Sequence, residues 1–496
     1  MWLYAFTNCY DAMKVSFGRV SVTPANLDGL SLAGFYRKKK VQGVLDTLYA
    51  RGVLVEDTFL GNIKKRMLLI SIDTMKVPLK FTDYVKEKIQ DVYKINPSQI
   101  LIHAIHSHSG LDLTGEYYYP GKLGNTIRSI IFGIGRNDKM LVWMTRQIVK
   151  MVGQLLDELQ PCKIAWAKTA IKDRVILNRR HFSRTYRADL GVICFKHADS
   201  GAMIGFMVNF GAHPTLLPGS NFMLSAEWPG RLVASIDEAT DNMIQAVFFN
   251  DAAGDISPST SVYGKYIKTI VQKYGHKRLR FGFKKLLQEK AINLYGAKIG
   301  LTALDLARSI PDERYFDHAE FKCYTRTIWI PMQDYKQKYN GFIRCQNRVI
   351  HWAKKYFLMP LVFAFTDGKE YSFPGLAIKH RGLIDVHSYS KIQYFRVLAS
   401  DSMTGKTSSF NIIGMPGEPF RHLARSVQRK TKEGLENSFL FQMANDWMAY
   451  LFDFAEYTRG GGDPFESMMP VAGKYVKEAY LQLLDDIEAG LTAGHA

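Results

Sequence analysis

The chain reads as an α/β fold built on a mixed sheet. Three observations point there. Short, wholly apolar runs recur, such as MLLISI at 67–72 and ILIHAI at 100–105, and read as buried strands. Stretches of helical period alternate with them, the clearest carrying Leu141, Met144, Ile148, Val152, Leu155 and Leu159 on one face. The composition, 47% hydrophobic and 22% charged over 496 residues, is globular and supports a large core without disulfides.

Thr82 or Asp83 is placed to cap a helix with Val85, Ile89 and Val92 on its apolar face, and Asn96-Pro97 ends it. Segments 163–168, 190–196 and 202–210 read as strands. A helix follows Ser225, starting near Trp228. Residues 246–249 form a short buried strand, and a Gly/Asp/Ser/Pro loop comes after it. A helix covers 285–308, the region 310–415 is strand-rich and irregular, a helix follows Pro419, and a last helix covers 473–489. There is no repeat, low-complexity tract or linker. The reading is therefore one domain over 1–496, with a basic, aromatic insertion at 259–284 that includes YGHKRLRFGFKK at 274–285.

The net charge of +19 favours anionic surroundings and says nothing of fold. Arg179, Arg180, Arg184 and Arg187 form one basic cluster, and Lys273, His276, Lys277, Arg278, Arg280, Lys284 and Lys285 another. Basic residues interleaved with aromatics suit peripheral contact with an anionic membrane, with nucleic acid ranked well behind and a solvated basic face as the plain alternative. The five cysteines, Cys9, Cys162, Cys194, Cys323 and Cys345, have no C-x-x-C spacing, which disfavours a thiolate metal site or a disulfide framework. The N-terminus lacks signal-peptide character, and the longest apolar run, YFLMPLVFAF at 356–365, is too short to span a membrane. The expected location is cytoplasmic or peripheral to a membrane.

Five polar fragments follow apolar strands or turns. In HAIHSHSG at 103–110, alternation puts His106 and His108 on one side of an extended chain, where two imidazoles can share a metal or divide ligand and proton-transfer roles. In NFGAHPT at 209–215, Pro214 stops the ladder and leaves His213 at a strand end. In NDAAGDISP at 250–258, small residues allow close backbone approach and Ser257 offers a hydroxyl, though no G-x-S-x-G elbow surrounds it. In IIGMPGEPF at 412–420, Glu418 stands after a Pro-Gly turn at the start of a helix. NDWMAY at 445–450 contributes Tyr450. Each fragment alone also reads as ordinary structure: hydrogen-bonded core histidines, a polar turn, a helix cap, a buried tyrosine. Spacing does not unite them, because His106 and His213 lie far apart and no local zinc signature exists.

Taken in order, with GRVSVTP at 18–24, LAGF at 32–35 and GVLDTLYAR at 43–51, these fragments resemble the catalytic domain of the neutral ceramidase family. The resemblance runs from about 17 to about 474. It implies a mixed-sheet α/β catalytic domain without the family's C-terminal Ig-like domain. It also implies one zinc ion held by His106, His213, Glu418 and Tyr450, with His108 and Arg179 near the scissile group. Ser257 matches a serine once assigned as nucleophile, and orienting substrate is its more natural role here. The implied activity is hydrolysis of an N-acyl amide in a ceramide-like or other acylated, lipid-like substrate by a zinc-activated water. Two alternatives stand beside it: a zinc hydrolase of a different amide or ester, and a non-catalytic basic membrane-binding protein on the same scaffold. The chain departs from the family at Leu111-Asp112-Leu113-Thr114-Gly115, where Pro-Gly-Gly is usual. It departs again where Phe465, before Glu466, falls on a family tyrosine.

Overall fold

The computed structural model describes residues 13–59, 63–117, 124, 135, 137–182, 186–264, 268–269, 281–331, 333, 335, 342–353, 356–357, 377–380, 386–463, 467 and 469–492. Two sheets dominate. The larger has eight strands, β1 (Lys14–Ser21), β3 (Tyr49–Phe59), β4 (Ile63–Ile72), β5 (Ile100–Ala104), β6 (Gln160–Ile171), β8 (Ala188–His197), β9 (Met203–Phe210) and β11 (Gln245–Asn250), in the order β11-β9-β8-β6-β1-β3-β4-β5. Two short strands, β2 (Gly43–Val44) and β10 (Met223–Leu224), pair in parallel outside it. The β4–β5 and β9–β11 pairs are parallel and the others antiparallel, so the sheet is mixed as expected. The second sheet runs β13 (His318–Pro331), β15 (Val386–Ser400), β16 (Thr407–Gly414), β18 (Ser438–Phe441), with β14 (Ala377–His380) also pairing β15.

Strand alternation sorts the core into layers. On β3 and β4, Val53, Val55, Met67 and Leu69 face the second sheet and meet Phe321, Phe395, Phe410 and Ile412. Leu54, Leu68, Ile70 and Ile72 face the other way, toward helices Leu79–Tyr93 and Asp138–Asp157. The outer face of the second sheet is covered by helices Arg421–Gln428 and Ala472–Glu488. The order is thus helices, sheet, sheet, helices. Among the described residues, no helix is long and apolar enough to cross a membrane.

The large sheet curls until its edge strands meet. Ser71 Oγ of β4 donates to Phe248 O of β11 at 2.7 Å, and the Asn250 N–H of β11 donates to His103 Nε2 of β5 at 3.0 Å. His103 Nδ1 lies 3.0 Å from Ser71 Oγ, so this histidine sews the seam as a neutral ring. Burial, with His106 nearby, pushes its pKa down to about 3. The loops leaving β5, β9 and β11 therefore gather at one place.

Three expectations change. The first helix begins at Leu79 after Pro78, not at Thr82 or Asp83. Its free N–H at Leu79 is taken by Asp446 Oδ1, from far along the chain, while the Thr82 hydroxyl donates to Leu79 O and Asn445 O. Val92 is 58% exposed, so the buried face of this helix ends at Ile89. The region 310–415 holds a helix, Phe342–Ala353, among its strands. Cys162, Cys194 and Cys323 are buried free thiols and Cys345 is exposed; Cys9 lies outside the described residues, as does most of 356–365.

Candidate metal centre

His106 follows β5 by two residues and takes a left-handed backbone, φ 70°. That turn is fixed by its own N–H donating to Thr74 O at 2.9 Å. Its ring is oriented by Nδ1–H donating to Met75 O at 3.0 Å. His213 follows β9, and its Nδ1–H donates to Ala253 O at 2.7 Å in the Gly/Asp/Ser/Pro loop. Both rings thus turn a bare Nε2 lone pair inward, 3.0 Å apart. Glu418 opens the two-residue strand β17 (Glu418–Pro419), which runs parallel to β19 (Tyr450–Leu451) with Glu418 beside Tyr450. Glu418 Oε2 lies 3.1 Å from His106 Nε2 and 3.3 Å from His213 Nε2 and accepts no hydrogen bond. Its other oxygen, Oε1, accepts from Trp447 Nε1–H at 2.8 Å.

Three acceptors therefore converge in a fully buried place with no donor between them. One proton could bridge only one of the three contacts, whereas a cation satisfies all three. Two imidazole nitrogens and a carboxylate oxygen suit zinc. Burial and the Arg179 charge push His213 down to about 4, leaving it neutral at pH 7.

His108 completes a group of three histidines that each bring one ring nitrogen within 4.8 Å of the other two. Its Nε2 is 3.4 Å from His106 Nε2, and its Nδ1 is buried without a partner. Burial, then His106 and His213, lower its pKa well below the ordinary value. The LAGF segment explains its position. Gly34 has φ +90°, and a Cβ there would lie 2.5 Å from the His108 ring, while Phe35 packs on that ring at 5.0 Å. Arg37 donates to the carbonyls of Ala33, His108 and Asn221, pinning the loop.

Tyr450 stacks on His213 with ring centroids 6.4 Å apart. The Arg179 guanidinium sits 5.1 Å from the Tyr450 ring centroid and pairs with Asp463 at 3.0 Å, its chain fixed by a bond to Gly254 O. Burial alone would lower its pKa; Tyr450 and Asp463 raise it. Ser257 makes no contact of this kind. It is half-buried on β12 (Ile256–Pro258) opposite Leu177 of β7 (Ile176–Asn178), and no hydrogen bond joins it to the histidines. Its neighbour does touch the site: Ile256 O accepts the His213 N–H.

Trp447, Met75, Ala253 and Asp463 shape this site and escape sequence reading as functional. Trp447 lay inside a fragment already singled out, and the others act through carbonyls or a distant ion pair. The GVLDTLYAR segment is structural. Asp46 accepts from Ser225 Oγ and Ala226 N–H, and Arg51 pairs with the buried Asp73, whose neighbour Thr74 holds His106. Phe465, Glu466, Arg184 and 270–280 of the basic insertion lie outside the described residues, as do the side chains of Lys284 and Lys285.

No protein-family profile matches the chain, and no curated protein does. Solved structures do. The chain is similar to the crystal structure of neutral ceramidase from Pseudomonas aeruginosa, with a TM-score of 0.65 at 15% identity over 97% of this chain and 74% of that one. It is similar to a ceramidase complexed with C2, with a TM-score of 0.66 at 14% identity over 98% of this chain and 76% of that one. The chain has a neutral ceramidase-like fold.

Proposed function

We propose that this chain is a zinc-dependent amidohydrolase that cleaves the N-acyl amide of a ceramide-like or other lipid-like acylated substrate. The observation that carries the reading is the convergence of His106 Nε2, His213 Nε2 and Glu418 Oε2 with no donor among them. These three residues would hold the ion, with Tyr450 alongside as the fourth ligand. Zinc, when bound, supplies Lewis acidity and a water of lowered pKa. The similarity of fold to solved ceramidases supports amide substrates.

The remaining roles fall to the chain's own groups. Arg179 keeps a full positive charge beside Tyr450 and is assigned to meet negative charge developing on the substrate carbonyl oxygen. His108, neutral and with a free ring nitrogen, is assigned the same oxyanion. Such donors are worth about 3–4 kcal/mol each at the transition state. Ser257 is assigned to orienting substrate rather than to attack, since no histidine base contacts it. Peripheral contact with an anionic membrane belongs to this reading and rests on the +19 charge. A second reading, a different amide or ester, rests on the departure at Leu111-Asp112-Leu113-Thr114-Gly115, directly after the histidines. There Asp112 accepts from Thr114, Gly115 and Tyr117, and the segment carries Glu116.

The test is mass spectrometry of a lipid extract with added ceramides, incubated with wild type and His106→Ala. Release of sphingoid base and fatty acid by wild type alone supports the proposal. Unchanged sphingolipids move the substrate to other acyl amides and esters. Equal turnover by a verified zinc-free His106→Ala protein overturns the mechanism.

A further inference from the structure

Glu418 has one oxygen facing the histidines and one facing Trp447, and what lies behind that indole is a buried charge. The Lys76 ammonium sits 3.5 Å from the centre of the Trp447 ring. Its side chain is 2% exposed. It pairs with Glu116 and also lies 5.5 Å from the Tyr117 ring. Lys76 adjoins Met75, whose carbonyl orients the His106 ring. Two consecutive residues thus stand behind two of the three converging groups.

We propose that Lys76 is a positioning residue for the metal centre, acting through Trp447 on Glu418. The inference rests on the zinc reading above. A cation on the indole face draws electron density from the ring and makes Nε1–H a stronger donor. That donor is the one Glu418 Oε1 accepts, so the bond decides which carboxylate oxygen turns to the histidines and how strongly it is held. Partners behind metal ligands orient them and tune them in this way.

The same geometry gives the Leu111–Gly115 departure a purpose. Asp112 accepts the N–H groups of Thr114, Gly115 and Tyr117, closing a tight loop. The loop presents Glu116 to Lys76 and Tyr117 to its other side. A Gly-rich turn has no carboxylate to offer. The loop compensates the buried ammonium with the Glu116 carboxylate and holds it over Trp447.

The experiment measures zinc affinity of chelator-stripped protein by competition with a chromophoric chelator. Wild type, Trp447→Phe, Lys76→Met and the double variant are compared. Trp447→Phe keeps an aromatic ring and removes the N–H, and should weaken zinc about 10- to 100-fold. Lys76→Met keeps the stem and removes the charge, and should weaken zinc roughly three- to tenfold. The double variant should bind no more weakly than Trp447→Phe alone, because Lys76 then has no N–H to act through. Cobalt-substituted Lys76→Met should show displaced d–d bands, which a merely structural lysine would leave in place, and this reading stands even where Trp447→Phe does not fold. Wild-type affinity in both single variants, fully additive losses in the double variant, or unmoved cobalt bands would each overturn the inference. If wild type itself binds no zinc, the metal reading falls with it; if wild type binds and the variants match it, only this inference falls.

Discussion

Replacing Glu418 with glutamine should separate metal binding from folding. In the metal-free protein the Glu418 anion is buried with one oxygen lacking any donor. Glutamine keeps a carbonyl oxygen to accept from Trp447. It places an NH₂ where Oε2 now faces two bare imidazole nitrogens at 3.1 and 3.3 Å. An acceptor–acceptor contact becomes donor–acceptor, so the metal-free variant should melt no lower than metal-free wild type. Zinc reverses the order. Ligand at about 1,000 times its dissociation constant stabilises the fold by about 4.1 kcal/mol. At about 2.1 cal/mol/K of unfolding entropy per residue, a chain of 496 residues gains about 1 °C per kcal/mol, so wild type should rise by about 4 °C. A ligand loss at least as large as the roughly hundredfold cost of losing a supporting group leaves about 1.4 kcal/mol, and a rise of about 1.4 °C or less. The assay is scanning calorimetry of stripped protein with and without zinc. An undiminished zinc shift in Glu418→Gln, or a metal-free variant several degrees less stable than wild type, would refute the argument.

Two further perturbations follow from the geometry. Gly34→Ala puts a Cβ 2.5 Å from the His108 ring at φ +90°, so the ring must move by close to an ångström. Amide turnover should fall about 100-fold while zinc affinity changes little, since displacement on that scale is enough to misalign a reacting group; kinetics paired with zinc titration reads both, and wild-type turnover would refute it. Asp446 is pushed up to about 7 by burial, while its hydrogen bonds from Ser390, Trp447 and Leu79 only partly offset this. A carboxyl raised in the fold contributes fully below its unfolded value near 3.8 and loses that contribution as pH rises through about 7. Asp446→Asn has no such loss. Its stability relative to wild type should therefore improve by up to about 4 kcal/mol between pH 4 and 8, measured by denaturant unfolding. A pH-independent difference would contradict the assignment.

The strand-and-helix order was legible because buried strands and amphipathic helices carry local periodicity. The runs at 67–72 and 100–105 became β4 and β5, and the stripe from Leu141 to Leu155 became the buried face of Asp138–Asp157. The start of the first helix was not legible, because its capping acceptor, Asp446, comes from the far end of the chain. The histidines carry the same lesson. HAIHSHSG holds three, and only the closure of the sheet decides their roles: His103 pairs with Ser71 and Asn250 as a core residue, while His106 points a bare nitrogen at His213. The order of fragments made the fold recognisable. It gave no sign of Trp447 or Lys76, whose roles depend on a ring face and an N–H that no spacing encodes.

Backbone strain marks the place where this closure happens. His106, Met443, Asn445 and Ala449 all take φ between 52° and 70°, the left-handed region that non-glycine residues avoid at about 1–2 kcal/mol each. Strain of this kind persists only where surroundings over-determine it. Asn445 shows how. Its N–H donates to Ile102 O at 2.7 Å and its Oδ1 accepts the Ile102 N–H at 3.0 Å, so one residue pairs with β5 as a neighbouring strand would. Its Nδ2 donates to Gln393 Oε1 at 2.6 Å, tying the same point to the second sheet. Asn445 therefore fixes the loop carrying Trp447 and Tyr450 against the strand that ends in His106. In the proposed metal centre the pocket would not have to assemble when an ion arrives. Its acceptors are held close together beforehand by hydrogen bonds that both sheets supply, and a cation would relieve their repulsion without reorganising the fold.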